Sequence, residues 1–563
     1  MRWTIKPKPD PSKVARLSKE LAVDSTTSFL LAQRGIETFE EAKNFFRPDL
    51  SDLHDPFLMK DMEKAVSRIE EAVENQENIL VYGDYDVDGT TSVALMSSYL
   101  LSFYPNVATY IPDRYEEGYG ISYKGIDFAE DNNFSLIIAL DCGIKAVDKV
   151  AYAAKKGVDF IICDHHRPGA EIPKAKAVLD PKQEDCDYPF KELCGCGVGF
   201  KLIQALASKK GATIDDLVLY LDLVATAIGA DIVPIVGENR ILAYHGLKVI
   251  NENPRPGFEA ILKQVKKEKL TITDVVFIIA PRINAAGRMK HGNHAVTLLC
   301  ETDINLAAEY AIDIDTYNTD RRDADKRITI EALVQIEENK EQDRLTSVVY
   351  DENWHKGVIG IVASRLIETY YRPTLVFTKS GEMLAASARS VKGFDVYNAL
   401  ENTSEYIEQF GGHKYAAGLT LKPENYKSFK AQFEKVVEET IDPKMLIPEI
   451  SIDSQISLSD ITPKFYRILS QFAPFGPGNM TPVFMSEDIQ DTGYGKQVGE
   501  DKTHLRFTAT QHGSGKIVGI GFGLGEHIEL IKNKKPFKAA YTIDENEWNG
   551  NVSLQLKLKD IKP

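Results

Sequence analysis

The chain has 563 residues, of which 43% are hydrophobic and 27% are charged, a balance that is ordinary for a globular protein. This composition excludes fibrous, intrinsically disordered and disulfide-scaffold classes, and the length predicts about three or four domains. The 67 Lys and Arg residues against 83 Asp and Glu residues give a net charge of −16. Any contact with a polyanion must therefore depend on local basic patches or on bound metal.

The cysteines and the N-terminus indicate the cell compartment. The six cysteines are sparse and irregularly spaced, which is typical of reduced interior thiols. The first 21 residues lack the apolar core of a secretion signal, and the most hydrophobic later stretch, residues 217–237, is interrupted by Asp222 and Asp231. The sequence predicts a cytoplasmic protein without a membrane span.

The first half of the chain changes pattern near residue 56. Residues 1–55 are predicted as an N-terminal helical arm with proline at its joints, to which the sequence assigns no function. In residues 56–256, the short apolar runs NILVY, ATYIP, SLIIAL, DFIIC and AVLD alternate with helical stretches. This alternation predicts a parallel sheet covered by helices on both faces.

The second half contains three further regions. Residues 257–343 are predicted as a helical connector, because the charge-rich stretch from Asn305 to Asp343 lacks Gly and Pro and is typical of a solvated helix joining two lobes. Residues 344–445 restart a strand, helix and strand pattern, which predicts a smaller α/β lobe. Residues 446–563 contain five or six short strand patterns, which predict a small β-barrel, with an OB-fold as the leading candidate.

Acidic and histidine residues follow the predicted strands of the first sheet. Ligand chemistry collects beyond the carboxyl ends of strands in an open parallel sheet. NILVY is followed by GDYDVDG, SLIIAL by DCG and DFIIC by DHH, and a fourth acidic position follows the apolar stretch LDLVATAIGA. The residues at these positions are Asp84, Asp86, Asp88, Asp141, Asp164, His165, His166 and Asp231.

Six carboxylates and two imidazoles at one edge of a sheet require positive charge. Their mutual repulsion in a dry cleft is relieved most simply by divalent cations. Mixed Asp and His ligation without Cys suits Mn²⁺, Mg²⁺ or a similar hard ion, and the number of ligands suits two ions.

Each part of this pattern also has a simpler interpretation. The DxDxDG string resembles an EF-hand loop, but its twelfth position is Leu95 and a strand precedes it. An isolated Asp after a strand is commonly a helix N-cap, and an adjacent histidine pair is commonly a surface pair. Four such positions at one edge favour a metal site. Cys194-Gly195-Cys196 has no second metal-spaced pair and is interpreted as packing within a glycine-rich loop.

Longer motifs resemble a known family. VYGDYDVDGTTS, ALDCGI, CDHH and GADIVPI resemble, in order, the four motifs of the DHH phosphoesterase superfamily. Six further runs resemble its RecJ branch of bacterial single-strand-specific 5′→3′ exonucleases: IPDRYEEGYGIS, PRINAAGRM, WHKGVIGIVASRL, SARS, FGGHKYAAG and FGPGNMTPVF. The resemblance spans about residue 50 to the C-terminus. It implies an α/β fold with a DHH lobe over residues 56–256, a DHH-associated lobe over 344–445 and an OB-fold over 446–563.

The resemblance also implies a function. It implies a Mn²⁺- or Mg²⁺-dependent enzyme with two ions, which degrades single-stranded DNA from a 5′ end to mononucleotides in DNA repair and recombination. A helicase and a single-strand-binding protein are the implied partners, and the chain is expected to be a monomer.

The predicted metal ligands are Asp86, Asp88, Asp141, His165, His166 and Asp231. Asp141 is the best candidate to bridge both ions. Asp84 and Asp164 are expected at the catalytic centre either as additional ligands or as acceptors that orient His or water.

Recognition of a terminal phosphate requires Arg forks and small hydroxyl donors. The resemblance assigns this role to Arg114, Arg282, Ser387, Arg389 and His413, and it places His413 at the catalytic centre as well. His413 follows two glycines, which let the backbone approach a phosphate closely. Arg288 has a weaker case, and both Arg282 and Arg288 could instead pair with a carboxylate.

The C-terminal region has 13 basic and 14 acidic residues and so repels DNA less than the rest of the chain. It contains Lys532, Lys534, Lys535 and Lys538, together with Phe484, Phe507, Phe537, Tyr541 and Trp548 on or beside predicted strands. Such a barrel can guide single strands by stacking and phosphate contacts, although each aromatic residue could instead belong to the barrel core.

Two other functions compete with this prediction. A pyrophosphatase, or a phosphatase of short RNAs and nucleoside bisphosphates, would need only the two catalytic lobes, so the additional barrel argues against it. A non-enzymatic replication or repair scaffold on a DHH fold would be expected to lose metal ligands. Every ligand position is filled in this chain.

Overall fold

The computed structural model describes residues 1–265, 267, 269–512, 515–533, 535–548 and 550–563. The N-terminal arm packs on the C-terminal domain, because Leu17, Leu30 and Leu31 are fully buried in the core of that domain. The sequence predicted the helices of the arm but not its strand. The arm consists of β1 (Arg2–Ile5), α1 (Pro11–Leu21), α2 (Ser25–Gln33) and α3 (Phe39–Phe46).

The domain that resembles the DHH lobe, called the DHH domain below, is built around a parallel sheet, as the sequence predicted. Its elements are α4 (Met62–Glu74), β2 (Asn78–Gly83), α5 (Val87–Leu101), β3 (Val107–Tyr110), α6 (Tyr123–Asp131), β4 (Phe134–Leu140), α7 (Val147–Lys155), β5 (Asp159–Cys163), β6 (Ala177–Leu179), α8 (Gly195–Lys209), α9 (Leu221–Ala230) and α10 (Gly237–Glu252).

The strand order of this sheet creates a cleft at its carboxyl edge. The order is β3-β2-β4-β5-β6, and all four pairings are parallel. The chain passes from β2 to β3 on one side and returns to β4 on the other, so the carboxyl ends of β2 and β4 flank the point where the winding reverses. Helices α4, α5 and α8 cover one face, and α6 and α7 cover the other. Burial on both faces explains the continuous apolar strands.

One element of this domain differs from its predicted context. LDLVATAIGA forms helix α9, and Asp231 is its C-terminal capping residue, so Asp231 reaches the edge of the sheet from a helix. Nearly all of α9 is buried, and it packs against α5, α8 and α10. In a short segment whose residues are nearly all apolar, the hydrophobic periodicity cannot distinguish a helix from a strand.

The long helix that the sequence predicted between the two lobes is present, and one stripe of it is buried. The helices are α11 (Pro256–Val265), α12 (Ile272–Asp274), α13 (Ala280–Met289), α14 (Asn293–Cys300) and α15 (Ile304–Glu338). Residues 275–279 form a wider helical turn between α12 and α13. The 35 residues of α15 span about 50 Å and connect the DHH domain with the next lobe. Its buried side chains recur every three or four residues and pack against α11, α13 and α16.

The second α/β lobe has a mixed five-stranded sheet in the order β10-β11-β9-β8-β7. Only the β7 and β8 pair is parallel within this sheet. The elements are β7 (Ser347–Tyr350), α16 (Ile359–Thr369), β8 (Thr374–Ser380), β9 (Met383–Arg389), α17 (Val396–Glu401), β10 (Gln409–His413), β11 (Ala416–Leu421) and α18 (Tyr426–Thr440).

The C-terminal domain is the predicted barrel. Its ring consists of five strands that pair with their neighbours in the order β14-β18-β19-β17-β16. A pairing of β14 with β16 closes the ring. Strand β12 lies outside the ring and pairs in parallel with β1 of the arm. The elements are β12 (Glu449–Ile452), β13 (Ser454–Gln455), α19 (Pro463–Ser470), β14 (Phe484–Asp491), β15 (Lys496–Val498), β16 (His504–Thr510), β17 (Ile517–Gly521), α20 (Ile528–Lys532), β18 (Phe537–Trp548) and β19 (Asn551–Lys562).

The aromatic residues of the barrel strands are mostly core residues. Phe484, Phe507, Phe537 and Tyr541 are all buried. Lys534 and the side chain of Trp548 lie outside the described residues. No helix in the described part of the chain is long and apolar enough to cross a membrane.

Candidate active site

The loop after β2 brings three aspartates to the carboxyl edge of the sheet. Asp86 caps helix α5, and its Oδ1 accepts the Gly89 N–H at 2.9 Å. Asp84 is fully buried, and its two oxygens accept the backbone N–H groups of Tyr85 and Gly120. Asp84 therefore fixes the loop, and burial together with the Asp86 charge raises its pKa well above the usual range.

Asp88 is held by the first turn of α8. Its two oxygens accept the N–H groups of Gly195 and Cys196, each at 2.7 Å. A Cβ at position 195 would lie 2.6 Å from the Asp141 Cβ and 2.7 Å from its Oδ1, so this position requires glycine. The helix N-terminus supplies N–H donors to a carboxylate. The Cys194-Gly195-Cys196 turn, interpreted from the sequence as packing alone, also orients Asp88.

Asp141 and His165 leave polar atoms unpaired at the centre of the site. Asp141 follows β4 directly with a left-handed φ of 59°, and its buried Oδ1 has no hydrogen-bond partner in the described chain. Both ring nitrogens of His165 are likewise buried and unpartnered there. His165 Nε2 lies 3.2 Å from Asp141 Oδ1, 3.6 Å from Asp231 Oδ2 and 3.8 Å from Asp88 Oδ2. These buried atoms have lone pairs that a bound cation would satisfy.

Asp164 orients the histidine pair. Its Oδ1 lies 2.7 Å from His166 Nδ1 and accepts the N–H groups of His165 and His166, while its Oδ2 accepts the Ile144 N–H at 2.9 Å. Burial opposes ionisation of Asp164, but these hydrogen bonds and the His166 charge outweigh it and lower its pKa to about 2. Burial likewise opposes the charge on His166, but the bond to Asp164 raises the pKa of His166 to about 9.

The remaining pKa shifts record the crowding of carboxylates in a buried site. Burial, followed by the charges of neighbouring aspartates, raises the pKa values of Asp88 and Asp141 well above the usual range. The same two causes raise the pKa of Asp231 to about 7. Burial and the neighbouring His166 lower the pKa of His165 to about 3, which keeps its imidazole neutral and able to bind a cation.

These residues fit a divalent metal site. Asp141, His165 and His166 form one group of ligand atoms that all lie within 4.8 Å of one another, and Asp88, His165 and Asp231 form a second group. Their oxygen and imidazole donors suit Mn²⁺ or a similar ion. The charge of Asp86 acts on Asp88, Asp141 and Asp231, which places Asp86 beside both groups although it belongs to neither.

A cluster of arginines lies beside the candidate metal site. Arg114 lies with its guanidinium 3.9 Å from the ring centre of Tyr85, which connects Asp84 to Asp86. Arg288 donates from Nη1 to the Gly357 carbonyl at 2.7 Å, and Arg389 donates to Ser387 Oγ at 3.0 Å. Burial and the charges of Arg114, Arg389 and Arg321 lower the pKa of Arg288 to about 9. This excess of positive charge suits a bound anion.

The second lobe contributes a helix N-terminus to the same cluster. A Cβ at Gly360, in the first turn of α16, would lie 2.9 Å from Ser387 Oγ and 3.0 Å from Arg389 Nη2. The pocket defined by Arg114, Arg288, Ser387, Arg389 and the start of α16 is called the arginine pocket below. It lies where the DHH domain, the connector and the second lobe meet.

The comparisons with known proteins agree with this architecture. Family models match for the N-terminal domain of the DHH family over residues 78–228, the DHHA1 domain over 342–439 and the RecJ OB domain over 452–560. The chain is 37% identical over 566 residues to the single-stranded-DNA-specific exonuclease RecJ of Bacillus subtilis strain 168, covering 100% of this chain and 70% of that protein. It is 33% identical over 559 residues to RecJ of Escherichia coli K12, covering 95% of each. The chain belongs to the RecJ family.

A solved structure supports the same assignment. The crystal structure of RecJ in complex with Mn²⁺ from Thermus thermophilus superposes with a TM-score of 0.86 and 26% sequence identity. The match covers 100% of this chain and 79% of that chain. The predicted DHH, DHH-associated and OB-type folds are confirmed for this member of the RecJ family.

Two predicted phosphate-binding residues lie outside the arginine pocket. Arg282 pairs with Asp315 of α15 at 2.9 Å, so the internal pairing left open by the sequence is the one observed. His413 is exposed on β10, and its partner Ala416 pairs on its other side with Arg389. Gly412 has a φ of 143°, and a Cβ there would lie 2.4 Å from the Ala416 carbonyl oxygen. Gly411 and Gly412 lie within β10 and pair with Gly418 and Ala417 of β11, and the hairpin turn follows them at Lys414 and Tyr415. The role of His413 stays a prediction.

Three residues at the site have a weak signal in the sequence or none. Gly195 lies in the glycine-rich start of α8, and that pattern was its only sequence signal. Arg288 was ranked below Arg282, although it belongs to the arginine pocket. Arg321, which is 9% exposed on α15, acts on Arg288 and has an unpartnered Nε among the described residues. The one sequence signal for Arg321 is its position on the face of α15 that is buried, where an arginine needs a partner.

Proposed function

We propose that the chain is a Mn²⁺- or Mg²⁺-dependent exonuclease that degrades single-stranded DNA from its 5′ end to mononucleotides. The observation that carries this proposal is the position of the arginine pocket. Arg114 contacts Tyr85, which lies between Asp84 and Asp86, so a phosphate in the pocket would lie close to the candidate metal site. An anion pocket at that position favours cleavage next to a terminal phosphate over cleavage within a strand.

We propose that the metal is held by Asp88, Asp141, His165, His166 and Asp231, with Asp86 as a further ligand. Bound divalent cations supply an activated water and stabilise charge on the attacking and leaving oxygens. Two adjacent groups of ligand atoms, one with Asp141 and His166 and the other with Asp88 and Asp231, support a site that would hold two ions.

The remaining residues of the site position these groups. Asp164 holds His166 through Nδ1 and leaves Nε2 as the free ring nitrogen. The N–H groups of Gly195 and Cys196 fix both oxygens of Asp88. Arg114, Arg288 and Arg389 are proposed to bind the 5′-terminal phosphate, with Ser387 as a hydroxyl donor. Because these donors are fixed before substrate binds, little reorganisation accompanies the reaction.

The barrel is proposed to guide the strand toward this site. Its core aromatics are buried, so we propose that phosphate contacts from its lysines contribute more than stacking. Action in DNA repair and recombination, partnership with a helicase and a single-strand-binding protein, a monomeric state and a cytoplasmic location are supported by the resemblance to the RecJ family alone.

One assay tests the proposed reaction. The protein is incubated with Mn²⁺ and single-stranded oligonucleotides labelled at the 5′ or the 3′ end, with inorganic pyrophosphate as a parallel substrate. Release of labelled mononucleotide from the 5′ label at the earliest times supports the proposal. Early release from the 3′ label contradicts the polarity, hydrolysis of pyrophosphate alone indicates the phosphatase alternative, and no hydrolysis indicates a binding protein.

A further inference from the structure

A single buried arginine joins three parts of the chain outside the metal site. Arg240, in the first turn of α10, is 4% exposed. Its Nε and Nη2 donate to the Phe45 carbonyl of the N-terminal arm at 3.0 and 2.8 Å. Its Nη1 donates to the carbonyl of Phe472 at 2.9 Å, and its Nη2 donates to that of Ala473 at 3.0 Å. One guanidinium of the DHH domain thus binds main chain from the arm and from the C-terminal domain.

The packing around Arg240 is aromatic. Its guanidinium lies 3.9 Å from the ring centre of Phe45. The rings of Phe45, Phe46 and Phe472 meet edge to face, with centres 5.3 to 5.4 Å apart. Within the described ranges, no carboxylate forms an ion pair with Arg240. The rigid fork of this side chain therefore holds two main-chain segments, one from the arm and one from the C-terminal domain, against α10.

The loop after α19 extends this contact to the rim of the metal site. Asn479 donates to the carbonyls of Phe472 and Pro474 at 2.7 and 2.9 Å, and its Oδ1 accepts Arg34 Nε at 2.8 Å. Two residues before Asn479 in the same loop, the Pro477 carbonyl accepts the Ile235 N–H at 2.7 Å.

Ile235 lies four residues after the predicted ligand Asp231. A Cβ at Gly476 would lie 2.5 Å from its side chain, so the loop packs closely against it. The interdomain joint is defined here as Arg34, Phe45, Arg240, Phe472 and Asn479.

We propose that Arg240 is a positioning residue for the hydrolysis of long strands, and that the N-terminal arm serves to complete the interdomain joint. The joint holds the barrel at the orientation in which a strand bound there enters the metal site. This inference rests on the proposed function. A long strand that binds the barrel and the metal site together gains affinity only while the geometry between the two sites lets it occupy both. A loosened joint therefore removes this gain in affinity. Substrates too short to reach the barrel do not depend on it.

The test compares substrates of two lengths. Arg240→Gln removes the fork, and kcat and KM are measured with Mn²⁺ on a 5′-phosphorylated strand of about 30 nucleotides and on a 5′-phosphorylated trinucleotide. We expect kcat/KM for the long strand to fall by about tenfold or more, mainly through KM, while the value for the trinucleotide stays within about twofold. Arg240→Lys should restore part of the loss, because one ammonium reaches only some of the carbonyls.

Arg372→Gln is the matched control. Arg372 is also 4% exposed and donates to the carbonyls of Glu341, Gln342 and Arg344, but all its partners lie within the connector and the second lobe. It should not produce a loss confined to long strands. Should Arg240→Gln fail to fold, Asn479→Ala loosens the same joint without removing a charge and should give the same length dependence.

Amide hydrogen exchange provides a readout that does not depend on activity. Arg240→Gln should accelerate exchange in residues 39–46 and 472–480, whereas Arg372→Gln should not. An equal loss on both substrates, the same length dependence in Arg372→Gln, or unchanged exchange at the joint would overturn the inference. Failure of the wild-type protein to hydrolyse either substrate would instead reject the proposed function, and the exchange measurement would still test the joint.

Discussion

Replacement of Gly195 by alanine tests the candidate metal site without removing any ligand. The added Cβ would lie 2.6 Å from the Asp141 Cβ and 2.8 Å from its Cα, which is about 0.8 Å short of ordinary contact. Backbone atoms cannot rotate away, so Asp141 or the start of α8 must move by several tenths of an ångström. Movement of α8 would also displace the N–H group that binds Asp88. Misplacement by about 1 Å costs about 100-fold in rate, and overpacking costs about 1–3 kcal/mol of stability.

The assay measures hydrolysis of a 5′-phosphorylated oligonucleotide, calorimetric Mn²⁺ affinity and a thermal melt. Gly197→Ala is the matched control in the same turn, because its Cβ would meet only side-chain atoms, of Leu193 at 3.3 Å and of Cys194 at 3.6 Å. We expect Gly195→Ala to stay folded but to lose about 100-fold in activity and to bind Mn²⁺ more weakly, with little change in Gly197→Ala. A folded Gly195→Ala protein with wild-type activity and Mn²⁺ affinity would refute the assignment of Asp88 and Asp141.

Three further predictions concern the arginine pocket, the metal site and its buried charges. Arg389→Ala should lose the preference for a 5′-phosphorylated strand over a 5′-hydroxyl strand, at a cost of about 1.5–3 kcal/mol in binding free energy. Arg282→Ala should keep this preference, because Arg282 pairs with Asp315. Equal losses in both variants would contradict this division. Mn²⁺ at about 100 times its Kd should stabilise the metal-free protein by about 2.7 kcal/mol in a thermal melt, and His165→Ala should lose most of this gain. An acid with a raised folded-state pKa holds its proton more tightly when folded, and this advantage disappears as pH rises from its unfolded pKa to its folded pKa. The metal-free protein should therefore lose stability relative to Asp231→Asn between about pH 4 and pH 7, as followed by denaturant titration at each pH, and parallel curves would contradict the raised pKa of Asp231.

The sheet of the DHH domain could be predicted from the sequence because its signal is local. Each strand is a short run of apolar residues with a polar group directly after it, and burial on both faces makes the run continuous. Strand β1 has no such signal. Its four residues, RWTI, pair with Glu449–Ile452, more than 440 positions along the chain. No short-range pattern carries a pairing of that separation, which is also why the arm could be given no role.

The arginine pocket shows a second limit of sequence reasoning. Arg282 and Arg288 lie in one motif, PRINAAGRM, and resemblance alone favoured the first. Six residues on an α-helix turn the side chain by about 240°, so the two guanidinium groups leave α13 on different faces. Arg282 points toward Asp315 of α15, whereas Arg288 lies at the helix end and reaches Gly357. Which face meets the pocket depends on the packing of α13 against α15, and that information is not local to the motif.

The remaining hydrogen-bonding capacity of a carboxylate separates Asp164 from the proposed metal ligands Asp88 and Asp141. An ionised carboxylate has about four acceptor sites. Asp164 uses its Oδ1 for two N–H groups and an imidazole and its Oδ2 for a third N–H, so its capacity is filled from within the protein. Asp88 accepts only one N–H group on each oxygen, and Asp141 keeps an oxygen with no partner in the described chain. The aspartates are the same residue type in the sequence, so the difference between Asp164 and the carboxylates of Asp88 and Asp141 depends on hydrogen-bond donors that only the fold brings to them.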